Sequence, residues 1–200
     1  MSIKSGAHEL GPENATLQVK TERRGAAAMA GHDLLIDVTS WEGTLDVGED
    51  PERFSLDLRA DAASLQVREG TGGVQALGED DKVEIKQTIE EEVLGTQAIE
   101  FHSTEVEPLD GGRSLLLSGE LTLNGNTHPL DFVLDVSPEG QVSGHATVTQ
   151  SDWGIKPYSG LFGTLKVRDE VEVVAEASFP TYAELTSAAR SPITSLSERW

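Results

Sequence analysis

Candidate chemistry in this chain begins with its histidines. His102 and His145 sit on the polar parity of alternating segments, so both point away from any shared interior and do not converge on a metal. His32 follows Gly31 at the start of such a segment, where the roles of base, ligand and hydrogen-bonded structural histidine are all open. His128 precedes Pro129 and fits a turn. The chain has no cysteine, which excludes disulfides, thiolate metal sites and a cysteine nucleophile. Serines are plentiful, but Gly-x-Ser-x-Gly does not occur, and neither does His-Glu-x-x-His or a P-loop. With 35 Asp and Glu among 200 residues, no carboxylate pair stands out. The sequence therefore predicts no catalytic residue, no metal site and no cofactor.

One segment could meet a ligand without performing chemistry on it. Trp153 and Tyr158 lie among Gly154, Pro157, Gly160 and Gly163, as a lid over an interior or as a plug at its end. Lys156 stands between them and could pair with an anionic head group.

The surroundings are acidic. Lys and Arg number 15, and the formal net charge is −20. A field of that sign argues against nucleic acid and anionic membrane surfaces. The first eleven residues lack the apolar stretch of a secretory signal, and no run approaches the ~18 apolar residues of a membrane span. The expectation is a cytoplasmic protein with no integral membrane segment.

Period two dominates the elements that must position these residues. Apolar residues alternate with polar ones over nine stretches: Leu17 and Val19; Leu34 to Val38; Trp41 to Val47; Phe54 to Leu58; Ile99 and Phe101; Leu115 to Leu123; Leu130 to Val136; Val142 to Val148; and Val171 to Ala177. One wet face per strand is the pattern of an antiparallel sheet. Asp110-Gly111-Gly112, Asn124-Gly125-Asn126 and Pro138-Glu139-Gly140 are hairpin connections, so residues 97–150 read as a four-stranded meander. Ile85, Ile89 and Val93 at i, i+4 and i+8 predict one amphipathic helix over about 80–94, stopped at Gly95. Arg68 to Gly78 reads as a flexible loop leading into it. The expected organisation is an arm over 1–14, a barrel domain over 15–180 and a tail over 181–200, with a short helix near Tyr182 to Arg190.

A flat sheet this wide would leave two edges open to aggregation. Closure into an all-β, eight-stranded antiparallel barrel with the helix across one end removes them. Such an interior is filled by side chains or holds one small ligand. Small residues on the inward parity (Gly43, Gly119, Gly144, Ala146, Ala175) favour a cavity, though strand glycines also mark bends. Its candidate ligand-binding residues are Phe54, Leu56, Phe101, Leu117, Leu121, Phe132, Leu134, Val148, Trp153, Lys156, Tyr158 and Phe162. The same apolar residues could equally be plain core.

Four stretches resemble the YceI-like family of lipocalin-like, polyisoprenoid-binding proteins. They are Gly31-His32-Asp33-Leu34 followed by Trp41; Ile99-Glu100-Phe101-His102-Ser103-Thr104; the hairpin Ser118 to Gly125 with Thr127-His128-Pro129-Leu130; and Gln150 to Tyr158 with Gly163 and Val167 to Val173. The resemblance covers about 15–180 and implies a barrel holding a long isoprenoid. Two departures stand out. Many members carry a secretory signal, and many have an Asp-Phe-Phe-Asp element where this chain has Glu92-Val93-Leu94-Gly95. The function expected is non-catalytic binding of a long apolar ligand (an isoprenoid, a prenyl quinone or another lipid) by a carrier, storage or stress-related protein. The alternatives are an interaction module with a filled barrel and an enzyme acting on a lipid-like substrate. Such barrels can form homodimers, but nothing in the sequence demands one.

Overall fold

The alternating stretches fold as strands of one strongly curled antiparallel sheet. The computed structural model describes residues 3–48 and 53–179, so the expected tail over 181–200, with its helix at Tyr182 to Arg190, lies outside the described residues. The strands are β1 (Gly6–Leu10), β2 (Ala15–Thr21), β3 (Arg23–Arg24), β4 (His32–Val38), β5 (Trp41–Val47), β6 (Ser55–Asp61), β7 (Leu65–Gly72), β8 (Ala98–Leu109), β9 (Ser114–Leu123), β10 (Asn126–Val136), β11 (Gln141–Thr149), β12 (Ser159–Gly160), β13 (Leu165–Val167) and β14 (Glu170–Ser178). Eleven of them form the main sheet in the order β1-β5-β6-β8-β9-β10-β11-β14-β2-β4-β7, and β12-β13-β3 form a small second sheet.

This corrects the expected eight-stranded barrel. The sheet is a half-barrel of eleven strands whose end strands, β1 and β7, do not pair with each other. The reason lies at one corner. β4 runs into β5 through Thr39 and Ser40, and β6 runs into β7 through a 3-10 turn at Ala62–Ser64. The hairpin of β4–β5 against β6–β7 bends there, so its two halves fall at opposite ends of the strand order. The Thr39 N–H donates to the Ser64 carbonyl (3.2 Å) and the Asp61 N–H to the Ser40 carbonyl (3.0 Å), which satisfies the backbone through the bend. The two ends of the sheet are thus tied by chain continuity rather than by a ladder.

The meander is as expected, with β8 to β11 pairing in sequence order. Its β9–β10 turn has Asn124 at φ +51° and Gly125 at φ +73°, the left-handed pair that a two-residue hairpin requires. The segment read as a flexible loop over Arg68 to Gly78 is strand up to Gly72. The pattern Leu65-Gln66-Val67, with both apolar members buried, was its signal. The N-terminal arm also contributes a strand, since β1 pairs with β5.

The helix α1 (Glu79–Thr88) continues into one π turn over Ile89–Val93. Glu79, Asp80 and Asp81 fill its first turn, where the helix dipole favours acidic groups, and the Asp81 carboxylate accepts from the Gly78 N–H at 2.8 Å. Gly95, at φ +68°, takes the left-handed turn that ends the helical segment. Ile85, Ile89 and Leu94 pack against Ile36, Leu65 and Val67, which lays this element over β4 and β7.

One end of the curled sheet is solid. Leu45, Val47, Phe54, Val106, Leu115, Leu117, Val142 and Phe179 are buried together there. The other end carries the helix, the small sheet and the 3-10 turn Gln150–Trp153.

Candidate ligand cavity

Strands β2, β4, β6, β8, β9, β10, β11 and β14 contribute side chains to a cavity of about 760 Å³ at the end opposite the solid base. The lining follows depth along each strand. On β6, Leu56, Leu58 and Ala60 line it, and Phe54, just before that strand, does not. On β9, Leu121 and Leu123 line it and Leu117 does not. Val148 of β11 lines it, and Val142 does not. The helix closes a further side with Ile85, Ile89, Val93 and Leu94. Polar groups gather at the rim: Arg23, His32, Gln75 and Tyr158, together with Asp81 and Glu84 of the helix.

Of the residues predicted to bind a ligand, Leu56, Phe101, Leu121, Phe132, Leu134, Val148 and Tyr158 line this cavity. Phe54 and Leu117 have inward parity but pack in the base, below the cavity floor. Trp153, also predicted to bind a ligand, packs in the buried core and does not line the cavity. Its indole is buried, and the ring N–H donates to the Leu121 carbonyl at 2.9 Å. The Asn126 side-chain amide donates to the Trp153 carbonyl at 3.0 Å, and His128 stands edge-on to its ring. Lys156 is exposed and off the cavity wall. Phe162 is fully exposed, since the turn Leu161–Gly163 directs it away from the interior.

Sequence reasoning missed Leu17, Val19, Leu34 and Ile36, which line the wall formed by β2 and β4. Their alternation was visible, but their depth along the strand was not. It also missed Arg23, whose guanidinium donates to the carbonyls of Gly31 (3.0 Å) and Thr71 (2.9 Å). That side chain fastens β3 to the loop before β4 and to the end of β7. The His32 Nε2 donates to the Gln75 carbonyl at 2.8 Å, so this histidine has a structural partner. Gln150 is buried on the wall, and its amide donates to the carbonyls of Arg168 (2.9 Å) and Asp169 (3.2 Å).

The small inward residues divide in use. Ala146 and Ala175 line the cavity and keep it open, whereas a Cβ at Gly144 would stand 2.6 Å from a Leu134 methyl, so that glycine seats Leu134. Gly119 does likewise. A Cβ there would stand 2.4 Å from the Phe101 ring and 2.5 Å from the His102 carbonyl, so its missing side chain is the seat of that ring. The bulge beside it, between Ser103 and Glu105, is stabilised by the buried Ser103 hydroxyl, which accepts from the Leu56 N–H at 2.8 Å.

Among the described residues, no three His, Asp or Glu side chains group as a metal site, and no helix is long and apolar enough to cross a membrane. His102 faces outward, hydrogen-bonded to Asp57. On the outer face of the cavity wall, Glu172 of β14 meets Lys20 of β2 at 3.0 Å and His145 of β11 at 3.1 Å. The hydrogen bond from Lys20 holds the Glu172 carboxyl below its ordinary value; burial opposes it, and the hydrogen bond from His145 adds to the lowering. A carboxyl lowered on folding stabilises the fold above its unfolded value, and the contribution disappears as pH falls through the lowered one. Glu172→Gln is therefore expected to cost less than ~1 kcal/mol at pH 7, because the group is half exposed. In urea titrations the difference from wild type should shrink to nothing in strong acid.

The YceI-like domain family matches residues 9–179. The chain belongs to the YceI-like family. That family is known for binding apolar ligands such as polyisoprenoids and is generally non-catalytic. The fold of this YceI-like protein is similar to the crystal structure of Burkholderia cenocepacia BcnA. The two share 14% identity at a TM-score of 0.58, over 81% of this chain and 94% of that one. No curated protein sequence matches this chain significantly. The motifs that carried the family resemblance fall around the cavity. Gly31-His32-Asp33-Leu34 opens β4 at the rim, Ile99 and Phe101 line the wall, and the Ser118 to Leu130 hairpin seats both Phe101 and the Trp153 ring. Val93 and Leu94 line the cavity.

Proposed function

We propose that this YceI-like protein binds one long apolar molecule, an isoprenoid, a prenyl quinone or a comparable lipid, without acting on it chemically. The supporting observation is the cavity itself: about 760 Å³ walled mainly by aliphatic and aromatic side chains, with Arg23, His32, Gln75 and Tyr158 at its rim and the buried Gln150 amide bonded to backbone carbonyls. That volume lies within the ~300–1,000 Å³ span of small-molecule sites. An isoprenoid tail offers no hydrogen-bonding group, so a dry tube is all it requires. Each buried CH₂ equivalent contributes about 0.8 kcal/mol, and ten to twenty carbons yield on the order of 10 kcal/mol gross before association and ordering costs. A polar head would remain at the rim, near Arg23, His32, Gln75 and Tyr158. The role is that of a carrier or store, cytoplasmic by the sequence reading.

The test is organic extraction of the purified protein followed by mass spectrometry, with uptake assays for prenyl quinones and fatty acids. A bound lipid, or saturable uptake at one molecule per chain, is expected. A protein that is consistently empty and takes up neither class would end this reading.

A further inference from the structure

The cavity rim carries charge and apolar surface that the rest of the molecule does not explain. In the small sheet, Arg24 of β3 and Lys166 of β13 stand directly opposite each other. Like charges in that position destabilise an antiparallel pair. Both are exposed, and neither has a carboxylate within ion-pair distance among the described residues. The same holds for Lys156 in the adjoining loop. By contrast Arg168 pairs with Glu22 at 3.0 Å, and Arg23 turns towards Asp33 at 3.9 Å. A chain with net charge −20 has carboxylates to spare, yet these three cations are left without one.

Beside them are the apolar tips. Met29 and Val74 are each 77% exposed, Leu161 is 54% exposed, and Phe162 is fully so. The backbone gathers them. The Ala27 N–H donates to the Thr164 carbonyl at 2.9 Å, joining the Ala28–Ala30 turn to the Leu161–Gly163 turn, and the Gly73 N–H donates to the Gly31 carbonyl at 3.1 Å. Leu161 and Phe162 take φ of +48° and +55°, a region that bulky side chains rarely occupy. The fold accepts that strain in a turn that presents an aromatic ring to water.

We propose that this rim docks on an anionic lipid surface, with Met29, Val74, Leu161 and Phe162 entering the interface and Arg24, Lys156 and Lys166 meeting lipid phosphates. The proposal rests on the reading of the cavity as a lipid site, since docking there would let an apolar ligand pass between bilayer and protein without crossing water. The charge distribution orients the encounter. The helix along the mouth carries Glu79, Asp80, Asp81, Glu84, Glu90, Glu91 and Glu92 and is repelled by the anionic surface that attracts the small sheet. Net charge argues against an anionic membrane only if it is spread evenly, and here it is not.

The test is co-sedimentation of the full chain with phosphatidylcholine vesicles, with and without phosphatidylglycerol, across a salt series. Binding is expected only to the anionic vesicles, weakening as salt rises. Arg24→Glu should reduce it roughly ten-fold or more, since a charge is both removed and reversed. Met29→Ser with Phe162→Ser should abolish it. Phe162→Gly should also lose vesicle binding while raising the melting temperature by roughly a few degrees, because glycine relieves the left-handed backbone; a purely structural residue would not show that pairing. None of these substitutions touches the cavity wall, so uptake of a short prenyl quinone from solution should be unchanged. Wild-type protein indifferent to phosphatidylglycerol at low salt, or variants that bind as well as wild type, would overturn the docking proposal. So would a dimer in ultracentrifugation that the Met29 and Phe162 substitutions dissolve in the absence of vesicle binding, which would give the rim to a second copy of the chain. Quinone uptake without docking leaves the cavity reading intact, and docking without uptake removes that reading alone.

Discussion

Ala146→Phe is expected to weaken uptake of a prenyl quinone about 100-fold while leaving the fold as stable as wild type. Ala146 lies on β11 with its methyl on the cavity wall, opposite Val173 of β14, which lines the same space. A phenyl group there takes up volume that about four to six ligand carbons would otherwise occupy. At about 0.8 kcal/mol per carbon, losing four of those contacts costs ~3 kcal/mol, and each 1.4 kcal/mol is about a factor of ten. The effect on stability separates this site from packed core. A methyl enlarged to a ring in a filled interior costs ~1–3 kcal/mol through displaced neighbours; here the ring enters empty apolar space and gains contacts. Isothermal titration with the quinone and a thermal melt read the two quantities. Lost stability combined with unchanged uptake would mean that Ala146 does not face open volume.

That contrast also marks where the sequence was legible. Alternation gave the side of the sheet on which a residue falls, because successive strand side chains point to opposite faces. It correctly turned Leu56, Phe101, Leu121 and Phe132 inward and His102 outward. It carried no information about depth. Leu117 and Leu121 share a strand and a parity, yet one packs in the base and the other lines the cavity. Depth depends on how strands are staggered around the curl, which is set by pairing partners far away in sequence. The strand count failed for a related reason. The bend at Thr39-Ser40 and Ala62–Ser64 divides one long hairpin between the two ends of the sheet, and a bend leaves period two undisturbed on both sides. Small residues were ambiguous in the same way, since Ala146 lines open volume while Gly144 and Gly119 give their places to Leu134 and to the Phe101 ring. The exposed Phe162 was beyond reach, because nothing in the local pattern signals a left-handed phenylalanine.

Depth along the strand has an energetic consequence that a pair of truncations can read. Leu117 is 1% exposed and surrounded by the base cluster. Leu117→Ala removes a fully buried side chain and leaves a void closed on all sides, so the loss of transfer energy and the cavity term add to about 3–5 kcal/mol. Leu58 is half-buried on the wall. In Leu58→Ala the vacated space merges with a cavity already present, no new void surface is enclosed, and the transfer term alone remains, about 1–2 kcal/mol. Binding should follow the opposite order. Leu58→Ala withdraws wall contacts from the ligand and weakens uptake, whereas Leu117→Ala, beneath the floor, leaves uptake nearly unchanged wherever the protein is folded. Urea denaturation and quinone titration on both variants give the two orders independently. If both truncations cost the same stability, the division into solid base and hollow upper half would fail. If Leu117→Ala, while still folded, impaired uptake as strongly as Leu58→Ala, the ligand would have to reach deeper than the floor formed by Leu56 and Leu134.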